Sequence, residues 1–275
     1  MLSVLILTRN EEQNLPRCLG AVSWSNDIVV VDSFSTDKTV AIAKDHGARV
    51  LQNPFVNFAQ QRNYGLAKGN LSNDWILHLD ADEVVTPELK RELFEVVDRG
   101  EKDAYRVASK VIFQGHWLKR SGLYPWYQVR LGRREKLTFK QIGHGQREDL
   151  PADRLGTLNE PLLHYSFSKG ISDWFERHNR YSTAEAEFFV GAEHRQGIDW
   201  AGITLDAPRR RRTLKQLFSF LPCRPMLRFL YMYFFRLGFL DGQAGFTYCR
   251  LLSIYEYFTV LKIRELRRRQ KGLPP

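Results

Sequence analysis

Trp75-Ile76-Leu77-His78-Leu79 is a mostly apolar run that ends in three carboxylates, Asp80, Asp82 and Glu83. Such a run reads as a buried strand that delivers acid at its carboxyl end. Side chains alternate along an extended chain, so Asp80 and Asp82 are expected on one side, where they repel unless a cation lies between or beside them. Oxygen ligands this close suit Mg2+ or Mn2+, ions that bind one or two carboxylates together with substrate phosphates. The implied chemistry is a metal-diphosphate site at a sheet edge. The same residues also suit a solvated turn into the next helix, because Thr86-Pro87-Glu88 offers an N-cap followed by proline at the first helical position.

The elements that must present these groups follow an α/β plan. Leu2 to Leu7 is the expected first strand, and Asn10-Glu11-Glu12-Gln13 reads as a capping box for a helix through about Val22. A second strand over Asp27 to Val31 ends in Asp32, and a helix to about His46 is stopped by Gly47. A third strand over Arg49 to Gln52, a helix over Phe58 to Lys68, the acid-tipped strand and a helix over Pro87 to Asp98 continue the alternation. Alternation of this kind implies a mainly parallel sheet whose ligands bind outside the carboxyl ends of its strands. Thr8 to Glu11, Asp32 and Asp80 to Glu83 are then expected around one crevice.

No GxGxxG or GxxxxGK[ST] follows the first strand, which excludes a dinucleotide fingerprint and a P-loop. Phosphate must be held in another way, with Asp32 better suited to a ribose or base edge and the metal at Asp82. After Tyr105 the chain turns to strand-like and loop-rich segments suited to the acceptor side of a cleft. Within them Arg130 reads as an ordinary strand-face cation, Glu148 and Asp149 as a solvated loop, and His164 as a semi-buried histidine. Residues 171–194 read as a helix with Trp174, Phe175, His178, Tyr181 and Ala186 near one core-facing stripe.

Composition bounds the rest. A 275-residue chain with 43% hydrophobic and 26% charged residues can bury a sizeable core. Three widely spaced cysteines argue for a reducing compartment, and the apolar start lacks a basic leader, so a cytoplasmic protein is expected. The net charge of +10 is uneven: residues 207–275 carry 15 Lys and Arg against 3 Asp and Glu, and the preceding 206 carry 26 against 28. That tail begins with Arg209-Arg210-Arg211-Arg212 and continues through aromatic-rich segments. Arg228 and Arg236 interrupt the most apolar one, against a membrane-spanning helix. Cationic positions beside Phe, Tyr and Leu suit the interface of an anionic bilayer, although a helical hairpin packed on the domain would use the same residues. Nucleic acid is not expected, because the aromatics lie in apolar runs rather than among the cations.

Leu7-Thr8-Arg9-Asn10-Glu11-Glu12, Val31-Asp32-Ser33-Phe34-Ser35-Thr36-Asp37-Lys38-Thr39 and Asp80-Ala81-Asp82-Glu83, in this order, resemble family 2 glycosyltransferases of the GT-A fold. The likeness is closer to the bacterial branch with the lipopolysaccharide-core glucosyltransferases, and it extends through His164-Tyr165 and Gly238-Phe239-Leu240-Asp241-Gly242. It implies a GT-A domain over 1–205, with a nucleotide-sugar half (1–100) and an acceptor half (101–205), and a helical membrane-associating tail over 206–275. It implies that Thr8, Asn10 and Glu11 line the nucleotide pocket, with Arg62 grouped beside them. Asp32 would hold the base or ribose, Asp80 the ribose side, and Asp82 with His164 the Mn2+ or Mg2+. Members of the family invert the anomeric centre and need a carboxylate base. Related chains place a His-Glu pair where this one has Arg147-Glu148, which makes Glu148 the candidate and Asp149 the alternate.

The QxxRW motif of processive relatives is missing, so a single sugar transfer is expected. The donor would be a nucleotide-diphosphate sugar, with UDP the favoured nucleotide. The acceptor would be a lipid-linked or lipopolysaccharide-type saccharide, met at the inner face of the cytoplasmic membrane through residues 209–271. Asp80-Ala81-Asp82-Glu83-Val84 also fits the nucleophile loop of a haloacid-dehalogenase phosphohydrolase, but that enzyme expects the loop after its first strand. A non-enzymatic adaptor would leave the acidic crevice without a use.

Overall fold

The computed structural model describes residues 1–142, 145–196 and 223–274. Their contacts divide into two compact units, Met1–Trp117 with Tyr124–Gly170, and Leu118–Leu123 with the described part of Ile171–Pro275.

The first unit is built on a ten-stranded mixed sheet with flanking helices. Its first half alternates as expected: β1 (Leu2–Thr8), α1 (Leu15–Ala21), β2 (Ile28–Asp32), α2 (Thr39–Asp45), β3 (Arg49–Gln52), α3 (Phe58–Lys68) and β4 (Trp75–Asp80). These strands pair in parallel in the order β3-β2-β1-β4, so the chain reverses direction of growth between β1 and β4. There the carboxyl ends of adjacent strands open a crevice. Apolar residues of β1, β2 and β4 fill the sheet centre; Val4, Ile6, Val30, Leu77 and Leu79 have no exposed surface. Gly65 lets α3 press on this sheet, since a methyl group there would lie 2.6 Å from Leu5 Cδ1.

The second half departs from parallel pairing. A two-residue strand β5 (Glu83–Val84) and α4 (Pro87–Arg99) are followed by β6 (Ala104–Phe113), β7 (His116–Trp117) and β8 (Tyr127–Arg133). Then come the hairpin β9 (Phe139–Ile142) and β10 (Gly145–Glu148), and the short strands β11 (Leu155–Thr157) and β12 (Leu162–His164). β8 runs antiparallel between β4 and β6, and β12 lies parallel to β6 and antiparallel to β5. Thr86 caps α4 as expected, its hydroxyl accepting from the Leu89 N–H at 3.1 Å.

One local expectation fails. Asn10 does not cap α1, which begins only after Asn14. Asn10 adopts a left-handed backbone (φ 53°), and its side chain accepts instead from the Thr36 N–H at 2.8 Å. The polar residues after β1 therefore tie two loops together rather than starting a helix.

The second unit is helical: α5 (Gly170–Gln196), α6 (Arg224–Leu230) continuing into a wide turn at Tyr231–Phe235, and α7 (Gly242–Gln270). The α5 stripe is core as expected, with Trp174 buried and stacked on His178, and Ala186, Phe189, Val190 and Ile263 packed together. Among the described residues no helix is long and apolar enough to cross a membrane. Gly143, His144 and Arg209 to Arg212 lie outside the described residues.

Candidate active site

Site building begins at the end of β4. The Asp80 carboxylate is held from two sides, by Arg62 Nη2 on Oδ1 and Arg130 Nη2 on Oδ2, each at 2.7 Å. The same Arg130 nitrogen reaches Glu83 Oε1, and Glu83 Oε2 accepts the Asp80 N–H at 2.9 Å. Arg62, Arg130 and Glu83 are essentially removed from solvent. Two buried guanidiniums, the buried Glu83 and Asp80, which keeps 29% of its side-chain surface, thus form a charge-balanced clamp that fixes the turn after β4. Burial works against charge on Asp80, but Arg130 and Arg62 outweigh it and hold Asp80 well below the usual carboxylate range. Burial and the adjacent Asp80 push Glu83 up, against the pull of Arg130.

Arg130 is not the ordinary strand-face cation the sequence suggests. Between β6 and β8 the register steps from Tyr105–Leu131 to Arg106–Val129, so Arg130 is the extra residue of a β-bulge. A bulge re-aims a side chain, and here it turns Arg130 toward Asp80 and Glu83. Alternation of strand residues carries no sign of this.

Asp82 is positioned differently. It lies just past β4, its carbonyl accepts the Tyr165 N–H at 2.9 Å, and its Oδ2 is 3.3 Å from His164 Nε2. Pairing of β12 with β5 sets His164 opposite Glu83, which brings the histidine to this turn. Asp82 and His164 keep 18% and 29% of their side-chain surface exposed. The cation expected between Asp80 and Asp82 is therefore divided: guanidiniums serve the first, an imidazole the second. Burial opposes a charged His164, yet Asp82 and then Glu83 and Asp80 raise it to about 9.

The donor set fits a divalent ion. Bonds of about 2.2 Å at right angles put two neighbouring ligand atoms roughly 3.1 Å apart, close to the Asp82–His164 separation. Among the described residues no third His, Cys, Asp or Glu joins them in a metal cluster. Such a pair matches ions that take most of their remaining ligands from water and phosphate.

Around the crevice, Thr8 Oγ1 donates to Asp32 Oδ1 at 2.9 Å, and the Ser35 N–H donates to Asp32 Oδ2 at 2.8 Å. Asp32 is fully buried. Expected to hold a ribose or base, it braces the loop after β2 in this structure through Thr8 and Ser35. Asn10 binds Ser35 and Thr36 of that loop from the β1 side. Glu11 pairs with Lys169, and burial followed by the Asp82 charge raises its affinity for a proton. Lys169 follows β12 without any motif to mark it and was missed from the sequence.

Glu148 and Asp149 belong to the β9–β10 hairpin, which α3 anchors through Asn63 bonds to the Phe139 main chain. Glu148 sits opposite Phe139 in the hairpin and pairs with Arg106 at 3.1 Å. Asp149 pairs with Lys140 at 2.8 Å and is 47% exposed. Phe139 meets His78 of β4 edge-on, so the hairpin packs on the same sheet face as Arg62.

A sheet of this topology with an acid-tipped strand at its reversal is an α/β fold that binds its ligand at the carboxyl ends of β1, β2 and β4. Residues 3–147 match Glycosyl transferase family 2, and the chain belongs to that family. It is a glycosyltransferase acting on nucleotide sugars, with the GT-A fold. An uncharacterised glycosyltransferase of Rickettsia bellii is 27% identical over 96% of this chain and 86% of its own length. A lipopolysaccharide core biosynthesis glycosyltransferase of Rhizobium meliloti, LpsC, is 25% identical over 95% of this chain and 91% of its own. Among solved structures, a mannosyltransferase of Pyrobaculum calidifontis in complex with GDP-Man and Mn2+ shares the fold with a TM-score of 0.54. It is 13% identical and covers 96% of this chain and 86% of that one. The haloacid-dehalogenase alternative finds no support: the acid loop follows the fourth strand, and family membership lies elsewhere.

Proposed function

We propose that this enzyme transfers a single sugar, with inversion, from a UDP-sugar to a lipid-linked or lipopolysaccharide-type acceptor during cell-envelope glycan synthesis. The observation that carries the reading is the part-exposed Asp82–His164 pair next to Asp80, whose two oxygens are held by the buried Arg62 and Arg130. The Rhizobium relative named for lipopolysaccharide core synthesis supports the acceptor class. Asp82 and His164 would hold Mn2+ or Mg2+, which supplies positive charge to the diphosphate as the sugar departs. Thr8, Asn10, Glu11 and the loop that Asp32 braces would line the nucleotide, and Asp80 and Arg62 would border the ribose side.

The acceptor hydroxyl must lose its proton as it attacks the anomeric carbon. We assign this step to Glu148, whose carboxylate is held by Arg106 at 3.1 Å, with Asp149 as the alternate on the same hairpin. A base in hydrogen-bond reach contributes about 10²- to 10⁴-fold. Attack from the face opposite the departing diphosphate gives inversion. Residues 209–271, with their basic and aromatic content, would hold the enzyme at the anionic inner face of the cytoplasmic membrane, where a lipid-linked acceptor lies. In the described part of that segment, Phe234, Phe235, Phe239 and Leu240 are exposed, with Phe235 at 81%.

The test is a thermal-shift series with UDP, GDP, CMP and their sugars, with and without Mn2+, on wild type and Asp82→Asn. A metal-dependent rise with UDP ligands that the variant loses is the expected result, because ligand binding stabilises the native state by mass action. A metal-dependent rise retained in Asp82→Asn would remove the metal from this turn.

A further inference from the structure

Leu118–Leu123 links β7 to β8, yet by its contacts it belongs to the helical unit. A single carboxylate ties it there. Asp241 Oδ2 accepts from the Arg120 N–H at 2.9 Å, the Ser121 N–H at 2.7 Å and the Ser121 hydroxyl at 2.7 Å. Ser121 has no exposed surface, so removing Asp241 takes from a buried N–H and a buried hydroxyl the acceptor they share. Asp241 is itself fixed at the start of α7. There Gly245 lets the helix close on the preceding turn, since a methyl group at Gly245 would lie 2.3 Å from the Gly238 carbonyl oxygen. Both joined segments carry a leucine in left-handed backbone, Leu123 (φ 59°) in the loop and Leu237 (φ 59°) in the turn before Asp241. Such backbone is costly for a branched side chain and persists where surrounding bonds dictate it, as in switch segments.

The joint has an amphipathic rim. Phe239 and Leu240, next to Asp241, are 44% and 60% exposed, and on the loop side Lys119 and Arg120 are exposed cations. Apolar side chains on a turn with cations beside them match the boundary of an anionic bilayer, where acyl chains receive the first and phosphate groups the second. In the other direction the loop leads into β8, from which Arg130 reaches Asp80.

We propose that Asp241 couples contact with an anionic lipid surface to the order of the β7–β8 connection, and so to the placement of the start of β8. This rests on the membrane reading of the tail. A bilayer favours the ordered turn because that state offers it more apolar contact, and the three bonds to Asp241 pass the order on to the loop. Asp241 is thus a positioning residue that acts through the loop.

The test is hydrogen exchange on the full chain, read by mass spectrometry, for wild type, Asp241→Ala, Asp241→Asn and Ser121→Ala. Each is measured alone and with vesicles of phosphatidylcholine and phosphatidylglycerol in equal parts. In wild type the vesicles should slow exchange both over 231–240 and over 118–127. In Asp241→Ala exchange over 118–127 should be about 10-fold faster and no longer respond to vesicles, while 231–240 still does. Asp241→Asn keeps an oxygen that can accept the same bonds and should behave like wild type; Ser121→Ala, which loses only the hydroxyl bond, should fall between. A vesicle response over 118–127 that persists undiminished in Asp241→Ala and Ser121→Ala would overturn the coupling. So would its absence in wild type while 231–240 is protected; either result leaves the docking intact. A wild type whose exchange over 231–240 ignores the vesicles would overturn the membrane reading itself.

Discussion

The β4 edge and the β9–β10 hairpin both carry the acidic residues proposed for the chemistry, but they hold them by different means. At β4 the part-exposed Asp80 and the buried Glu83 share two arginines, Arg62 and Arg130, that are themselves out of solvent, so removing a carboxylate leaves a buried guanidinium short of a partner. On the hairpin, Glu148 and Asp149 are each held by one cation, and Arg106 and Lys140 retain 38% and 69% of their side-chain surface. Rigid enclosure suits a site that must present one geometry to a diphosphate. A hairpin held by half-solvated pairs suits a base that must give up a contact when it takes a proton.

The sharpest way to break this contrast is to remove one arginine from each region. Arg130→Met leaves Asp80 and Glu83 short of a buried partner and should cost about 3–5 kcal/mol of unfolding free energy in urea denaturation. Arg106→Met removes a partly solvated pair and should cost less than about 1 kcal/mol. Similar costs for the two would mean that the clamp is not the rigid part of the site.

Removing the hairpin carboxylates probes chemistry rather than stability. Glu148→Gln should lower kcat by about 10²-fold with little change in the KM for the donor, and Asp149→Asn should change either constant much less. Equal losses in the two variants, or a loss confined to the donor KM, would take the base assignment away from Glu148.

The parallel half of this plan was legible because each of its strands is a short apolar run closed by a polar turn. β3 and α3 fall on the residues expected of them, and β4 ends at Asp80 as its composition implies. Thr8 to Glu11 and Asp80 to Glu83 could be placed around one crevice because they sit at strand ends, whereas Arg62 and His164 were expected there only through the family resemblance. What escaped depends on register and on long-range pairing. Arg130 enters the site through a bulge, and Asp32 turns inward because Thr8 and Ser35 claim its oxygens. Lys169 meets Glu11 across 158 positions of chain. Asp241 meets Ser121 across 120 positions, which the segment Gly238-Phe239-Leu240-Asp241-Gly242 does not announce.

The smallest effect separates the two regions by pH. His164 has a folded value of about 9 against an ordinary 6.5, set chiefly by Asp82 against the cost of burial. Because the folded value is the higher, the charged His164–Asp82 pair stabilises fully below pH 6.5, and that stabilisation fades as pH rises through 9. In the presence of EDTA, wild type should therefore melt above His164→Gln at pH 6, by an amount on the order of 2 kcal/mol, and the gap should close by pH 10. A divalent ion needs the unprotonated ring nitrogen, so Mn2+ should bind more tightly as pH rises over the same range and reopen the gap at the alkaline end. Lys140→Met on the hairpin should show no such crossover. A His164→Gln deficit that stays constant from pH 6 to 10 in EDTA would place the contribution of His164 in packing, and would leave the β4 edge without the charge pair that distinguishes it.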